Sequence, residues 1–398
     1  MQKTMQSSSS EHFYVPALNG LRFLAVSLVI FVHWNFSSYR GNIFFQLSEV
    51  GWFGVDLFFV LSGYLITEIL LREKEKFGSI LLKNFWLRRI LRIWPAYYAA
   101  LILQFIVIPH FPEWKLMAPF PSEGARNYYT GELAVSAALF YLNIKMAFAV
   151  EFRQMISILW TVAFEEQFYL VWPIIIKFVR NSELVFITIA ILFIALLTRC
   201  LSLNYAAFPN KMIDSFPLAR LDGFMFGAML AFAFRKSAIR ELLNKYRWFV
   251  FSGSLFFLYL GLFSIPNLYE GIHFTGILDP YIWKFFLVDL GCVLLVASSI
   301  ICKPVTFLFS LKPIVYLGRV SYGAYLIHSP CLYATFYYLQ FVNNPPVLKT
   351  ICFFITGFTV IFTIAGLSYR YFEGYFLKLK TRYERISTAS SVFEKNKK

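Results

Sequence analysis

The sequence predicts an all-α protein, a polytopic integral membrane helical bundle of about ten transmembrane helices with one short re-entrant or surface segment. Three observations support this fold class. Of 398 residues, 59% are hydrophobic and only 15% are charged, whereas soluble proteins carry about 25% charged residues. The apolar residues form runs of about 17–25, the length that spans a bilayer as a helix. Aromatic residues, 20% of the chain, are abundant near the run ends, where amphipathic rings favour the membrane interface.

The predicted spans follow one another along nearly the whole chain. They cover 18–37, 50–71, 91–109, 157–179, 183–203, 217–235, 248–266, 281–301, 313–340 and 348–372. A further apolar run, 133–149, is short and contains Asn143 and Lys145, so we assign it to a re-entrant or surface position. The membrane domain is predicted over 13–378. It is flanked by a polar, disordered N-terminus (1–12) and a polar, basic tail (379–398).

The net charge of +15 is attributed to topology and not to a nucleic-acid partner. Lysine and arginine concentrate in the connections 72–92 and 235–247 and in the tail, as expected of segments on the cytoplasmic side. Ten spans place all three on that side, so both termini are predicted to be cytoplasmic in a multi-pass protein of the plasma (inner) membrane. Full crossing by 133–149 would invert everything downstream of it.

The cysteines indicate neither a disulfide framework nor a metal site. They show no CxxC spacing and lie mostly in apolar runs, where cysteine behaves as a small packing residue. The five are Cys200, Cys292, Cys302, Cys331 and Cys352.

Several charged or titratable residues lie within the predicted spans, where a charge costs about 2.5–3.5 kcal/mol on insertion scales. Such residues face a cavity or a partner, and function is the default interpretation, with a structural ion pair as the alternative. The structural alternative is favoured for Asp289 alone, since nothing near it in the sequence converges on it. The set comprises His33, Asp56, Glu165, Glu166, Arg220, Asp222, Asp289 and His328.

Three of these residues are predicted to lie at a similar depth. Arg22 and His33 are eleven residues apart, about three helical turns, so they share a face roughly 16 Å apart along the axis. With the N-terminus inside, His33 lies in the outer half of span one. Spans two and four run inward, which brings Asp56 and Glu165 to about the depth of His33. Two carboxylates and an imidazole from three helices describe a site with acid/base capacity.

Two further patterns stand out. Arg88, Arg89 and Arg92 lie at helical spacing where the chain enters the bilayer, which suits a phosphate-rich ligand, although a topology signal alone would also explain them. Near the C-terminal end, Ser321, Tyr325 and His328 fall on one face of a predicted helix.

Six ordered motifs resemble the membrane acyltransferase 3 family, which includes bacterial O-antigen, exopolysaccharide and peptidoglycan O-acetyltransferases. The likeness runs from about residue 14 to about residue 372. Thr161 is a departure, because the family commonly has serine there, and the extracytoplasmic hydrolase-like domain fused to some relatives is not expected in this chain. The motifs are LNGLR at 18–22 followed by His33, GVDLFFVLSGYLI at 54–66, RRILRIWPAY at 88–97, WTVAFEEQFY at 160–169, RLDG at 220–223 and GRVSY at 318–322.

The resemblance implies an O-acyltransferase that moves an acyl group, most often acetyl, from cytoplasmic acyl-CoA to a hydroxyl of a cell-envelope glycan or related acceptor. Acyl-CoA is then the donor substrate, and no permanent cofactor or metal is expected. His33 is implied as general base or transient acyl carrier, with Asp56 or Glu165 orienting its imidazole. The remaining implied residues are Arg22, Arg88, Arg89 and Arg92 for the donor phosphates, and Glu166, Arg220, Asp222, Ser321, Tyr325 and His328 for acceptor binding or support.

Two other classes remain open at this stage. Intramembrane carboxylates and histidines also serve proton-coupled transporters, although no pair of interrupted spans in matching halves points to one. An unrelated membrane O-acyltransferase fold also uses an intramembrane histidine, but the spacing from Arg22 to His33 argues against it. The acceptor, the acyl length and the oligomeric state are not predicted.

Overall fold

The computed structural model describes residues 14–34, 48, 50–108, 131–148, 157–207, 209–264, 279–339 and 346–386, and within these ranges it is helical without any β-strand. The α-helices described are α1 (Pro16–Val32), α2 (Phe53–Phe77), α3 (Leu82–Ile102), α4 (Gly131–Ala138), α5 (Leu142–Ala147), α6 (Trp160–Phe178), α7 (Asn181–Tyr205), α8 (Pro209–Ser215), α9 (Pro217–Arg220), α10 (Asp222–Arg235), α11 (Ser237–Lys245), α12 (Arg247–Tyr259), α13 (Pro280–Ile301), α14 (Lys303–Phe309), α15 (Lys312–Arg319), α16 (Ser321–Leu339), α17 (Pro346–Ser368) and α18 (Gly374–Lys380).

Three of these helices continue directly into π-helical turns. The turns are Leu103–Val107 after α3, Leu260–Ser264 after α12 and Tyr369–Glu373 between α17 and α18. A short 3₁₀ turn, Thr381–Tyr383, follows α18.

Within the described ranges, five helical segments are long and apolar enough to cross a membrane, and the bent pair α11 and α12, which meet at 78°, would make a sixth. This supports a multi-pass membrane protein. The five are Phe53–Phe77, Leu82–Val107, Asn181–Tyr205, Tyr281–Ile301 and Ile351–Tyr383. The count of ten spans is not confirmed and stays a prediction. Helix α1 has only 17 residues, and the predicted spans 217–235 and 313–340 are interrupted at Leu221 and Val320.

Helix α2 is the central element of the bundle. It packs against α1, α6, α10 and α13, and 78% of its most apolar stretch is buried, compared with 22–61% for the other candidate spans. Its contact with α10 is closest at Gly63, where an added Cβ would lie 2.1 Å from Phe224 O, and at Gly227, where it would lie 2.2 Å from Val60 O. Glycine at both positions therefore lets the two backbones meet directly.

The apolar segment 133–149 forms two short helices and not one long one. Helices α4 and α5, of eight and six residues, are separated by a turn in which Phe140 has a positive φ of 56°. The turn is held from the side, since Tyr97 and Tyr98 donate to the carbonyls of Ala137 and Ala138, and Gln167 donates to Phe140 O. Neither helix approaches the roughly 20 residues that a bilayer requires.

The segment after α17 turns back onto the bundle. Helix α18 and the 3₁₀ turn pack against α3, and Lys380 is buried beside its ion-pair partner Glu384, 3.1 Å away. Part of the region predicted as a polar, basic tail, up to Ile386, therefore lies in contact with the helices of the membrane domain.

Candidate functional site

A cavity of about 80 Å³ lies between α1, α2, α3, α6 and α16. It brings together side chains from five of the six sequence motifs. The polar residues around it are Arg22, Ser62, Arg89, Arg92, Thr161, Glu165, Tyr169, Ser321, Tyr322 and Tyr325. Glu165 and Ser321 were predicted site residues, whereas Ser62, Thr161 and Tyr169 were quoted only as parts of motifs.

Three arginines give the cavity a strong positive charge. Arg22 donates to the Asn19 side chain at 3.1 Å, and Arg89 lies over the Tyr169 ring, 5.8 Å from its centroid. The acid among the lining residues is Glu165, which accepts hydrogen bonds from Ser62 at 3.2 Å and Tyr169 at 3.0 Å. Three guanidinium groups around one carboxylate leave an excess of cationic hydrogen-bond donors, the arrangement that binds phosphate groups.

Arg88 does not belong to this cavity, contrary to its predicted phosphate-binding role. Its guanidinium is buried 3.2 Å from Glu73 and donates to Tyr383 O at 2.7 Å. Arg88 and Arg92 are one helical turn apart, but the guanidinium of Arg88 pairs with the carboxylate of Glu73 on α2. Its role in this structure is to join α2, α3 and the segment after α18.

His33 meets His328, and neither predicted carboxylate lies beside it. The two imidazole rings contact each other edge to face, with centroids 4.9 Å apart. His33 Nδ1 is 2.8 Å from Val29 O and His328 Nδ1 is 2.6 Å from Tyr325 O. Because a carbonyl only accepts, each Nδ1 carries a proton, and each Nε2 of the neutral ring presents a lone pair.

Asp56 belongs to a separate buried cluster of charges. Its carboxylate is 2.5 Å from the Arg220 guanidinium, and Asp222 forms an ion pair with Arg199 of α7. Contrary to the prediction, Asp56 therefore does not orient the His33 imidazole in this structure, and neither does Glu165. One carboxylate oxygen of Asp289 lies near Gly223, within this cluster. The expectation that no other residue of the site would lie near Asp289 was therefore wrong.

Of the remaining predicted residues, Ser321 and Tyr325 line the cavity, and Glu166 lies on α6 next to Glu165. Glu166 accepts a hydrogen bond from Trp94 Nε1 at 3.1 Å. Tyr325 donates to Ile158 O at 2.8 Å, and its hydroxyl is 2.7 Å from Thr161 Oγ1. The Tyr325 ring also contacts the His328 ring, with centroids 5.5 Å apart. Tyr325 therefore separates the arginine-lined cavity from the histidine pair.

Sequence reasoning missed two residues that the geometry places in these clusters. Arg199 was not singled out, although it is an arginine inside a long apolar run and is fully buried. Tyr169 lies one helical turn after Glu165, a spacing at which side chains meet on one face. The signal for Arg199 was an arginine within a long apolar run. The signal for Tyr169 was a polar residue four positions after Glu165.

Comparisons with known proteins show which family the chain resembles. Residues 15–369 match the family model described as acyltransferase domain. The chain is 30% identical to peptidoglycan O-acetyltransferase OatA of Listeria monocytogenes over 90% of its own length and 55% of that protein. It is 28% identical to O-acetyltransferase OatA of Staphylococcus aureus (90% and 57%) and 27% identical to the putative peptidoglycan O-acetyltransferase YrhL of Bacillus subtilis (93% and 56%).

The chain thus spans little more than half the length of these curated relatives. No solved structure matches it significantly. The family model covers most of the chain and all the motifs that line the cavity, and this chain belongs to the acyltransferase domain family.

Proposed function

We propose that this protein transfers an acetyl group from acetyl-CoA to a hydroxyl of a cell-envelope glycan. The observation that carries the proposal is the cavity in which Arg22, Arg89 and Arg92 converge, next to a histidine pair in which His328 is fully buried and His33 is partly buried. The relatives are O-acetyltransferases, two of them named for peptidoglycan, and these names support acetyl as the acyl group and a cell-envelope glycan as the acceptor.

The three arginines are proposed to bind the phosphates of the donor. A nucleotide phosphate offers several anionic oxygens, and planar guanidinium groups bind such oxygens through paired hydrogen bonds. Glu165 would keep the arginines ordered while the site is empty, because its own position is fixed by Ser62 and Tyr169. On this view Glu165 supports the donor site and does not orient His33.

His33 is proposed as the general base. Its Nδ1–H is held by Val29 O, so its Nε2 lone pair is the atom able to take a proton from the acceptor hydroxyl. The deprotonated oxygen attacks the thioester carbonyl, and the carbon–sulfur bond breaks to release the CoA thiolate. The donor phosphates would be held about three helical turns away at Arg22, so the thioester arm must pass Tyr325 and Thr161 to reach His33.

The purified protein in detergent provides the test. Acetyl-CoA is mixed with a soluble peptidoglycan oligosaccharide, and both thiol release and acetylated product are measured, the product by mass spectrometry. Acceptor-dependent thiol release with a matching amount of acetylated glycan is expected. A transporter would release no thiol under these conditions, since detergent removes the second compartment. Folded protein that binds acetyl-CoA but acetylates no glycan hydroxyl, or does not bind it at all, would overturn the proposal.

A further inference from the structure

The histidine pair contains a buried nitrogen without a hydrogen-bond partner. His328 is fully buried, and its Nε2 makes no hydrogen bond within the described residues. Its Nδ1 already donates to Tyr325 O, so Nε2 is the ring nitrogen that remains available to accept a hydrogen bond. The ring in edge contact with it is that of His33, 4.9 Å away between centroids. A buried lone pair without a donor is unfavourable unless a donor arrives at another stage.

The same surroundings leave protonated His33 without a carboxylate. Asp56 is taken by Arg220 at 2.5 Å, and both oxygens of Glu165 accept from Ser62 and Tyr169. His33 is partly buried, and an imidazolium that forms away from bulk water requires an acceptor for its new N–H. Among the contacts of His33 in the described part of the chain, that acceptor is supplied by His328.

We propose that His328 is a positioning residue that stabilises His33 while His33 holds the proton of the reaction. This inference rests on the function proposed above. When His33 becomes protonated, its Nε2–H is shared with the Nε2 lone pair of His328, whose ring is in contact with that of His33. The unpartnered nitrogen of the resting protein is therefore the acceptor kept for the charged intermediate.

The step balances without any further reactant. The acceptor O–H bond breaks and its proton moves to His33 Nε2. The oxygen then forms a bond to the acetyl carbon, while the carbon–sulfur bond breaks and its electron pair leaves on sulfur. The proton, held between the two imidazoles, is finally delivered to the thiolate. A neutral histidine suits this use, because the proton is held only between two steps and is then released.

His328→Phe tests the proposal, because phenylalanine keeps an aromatic ring in contact with His33 but has no lone pair. We expect kcat to fall by about 10- to 150-fold, as for the loss of one hydrogen bond to a charged group, with the KM for acetyl-CoA unchanged. His328→Gln, whose side-chain oxygen can accept a hydrogen bond, should recover part of the rate and also serves if the phenylalanine variant does not fold. Ser329→Ala, which alters the adjacent buried residue, is the matched control and should keep wild-type kcat.

A double-variant cycle separates this role from a purely structural one. If His328 acts through His33, His328→Phe should cause no further loss in a His33→Gln background, since residues that act as a unit are not additive. Equal loss in both backgrounds, or wild-type kcat for His328→Phe, would overturn the inference while the transferase function stands. No acetyl transfer by the wild-type protein would overturn both.

Discussion

The guanidinium of Arg88 lies 3.2 Å from the carboxylate of Glu73, and both side chains are almost completely buried. Arg385 also pairs with Glu73, at 3.3 Å, but from a partly exposed position. Removing Arg88 therefore costs Glu73 its buried partner and leaves it one cation, so Arg88→Ala should lower the free energy of unfolding by about 1.5–3 kcal/mol, measured by denaturant unfolding in detergent. Lys83→Ala removes an exposed charge from the same helix and should leave stability unchanged. Equal effects of the two variants would contradict a specific role for the buried pair.

Arg92 is expected to affect donor binding and not stability. It lines the cavity and makes no hydrogen bond to a described residue, so its removal leaves no protein partner behind. Arg92→Ala should weaken acetyl-CoA binding by about 1.5–3 kcal/mol for one charge-assisted contact, roughly 10- to 150-fold in Kd. Calorimetry on the purified protein measures this, with Lys83→Ala as control. An unchanged Kd in Arg92→Ala would contradict phosphate binding and would leave membrane topology as the explanation for these arginines.

Asp56 and Arg220 should behave as a structural pair. Asp56→Leu and Arg220→Leu each leave one buried charge unpaired, and each should destabilise the protein by about 3–5 kcal/mol. The double variant removes both charges and should be more stable than either single variant, as thermal unfolding would show. An Asp56→Asn variant with wild-type stability but a His33-like loss of transfer would instead return Asp56 to the mechanism.

His33 carries the chemical step in the proposed function. His33→Ala and His33→Gln should each lose about a hundred- to ten-thousandfold in transfer rate. Donor binding should be retained, because the arginines lie on the far side of Tyr325. Parallel measurements of acetyl transfer and acetyl-CoA affinity check this. Wild-type transfer by His33→Gln would exclude a general base, and loss of donor binding would mean that His33 shapes the site.

The predicted topology can be tested by labelling. Single cysteines at Lys74 and Arg240 should be protected from membrane-impermeant reagents in intact cells, while one at Glu270, outside the described residues, should react. All five native cysteines must first be replaced, because Cys352 is exposed on the helical surface. Labelling at Arg240 would reverse the assigned sides downstream of 133–149.

Counting residues along the predicted spans gave a prediction of depth in the bilayer, but it could not predict which side chains are neighbours. Counting residues from the end of a span places a side chain along the helix axis, and His33, Asp56 and Glu165 were grouped on that basis. Their actual contacts depend on how each helix is rotated about its axis, which counting does not reveal. Asp56 faces Arg220, whereas His33 faces His328, 295 positions later in the chain.

The arginine motif shows the same limit at shorter range. Helical spacing placed Arg88 and Arg92 on one face, and we predicted from this that both bind the same ligand. Glu73 and the Tyr383 carbonyl, on two other segments, hold Arg88 instead. Polar motifs were thus enough to find the residues of the candidate site, but separating ligand-binding arginines from structural ones required their tertiary partners.

The direct backbone contact between α2 and α10 restricts how members of this family can diverge in sequence. One helix, α2, bears Asp56 of the ion cluster, Ser62 of the cavity and Glu73 of the buried pair, and Gly63 fixes its distance from α10. Any change that shifts α2 is transmitted to all three places at once. New acceptor preferences are therefore expected to evolve on elements that touch a single cluster, while α2 accumulates change slowly.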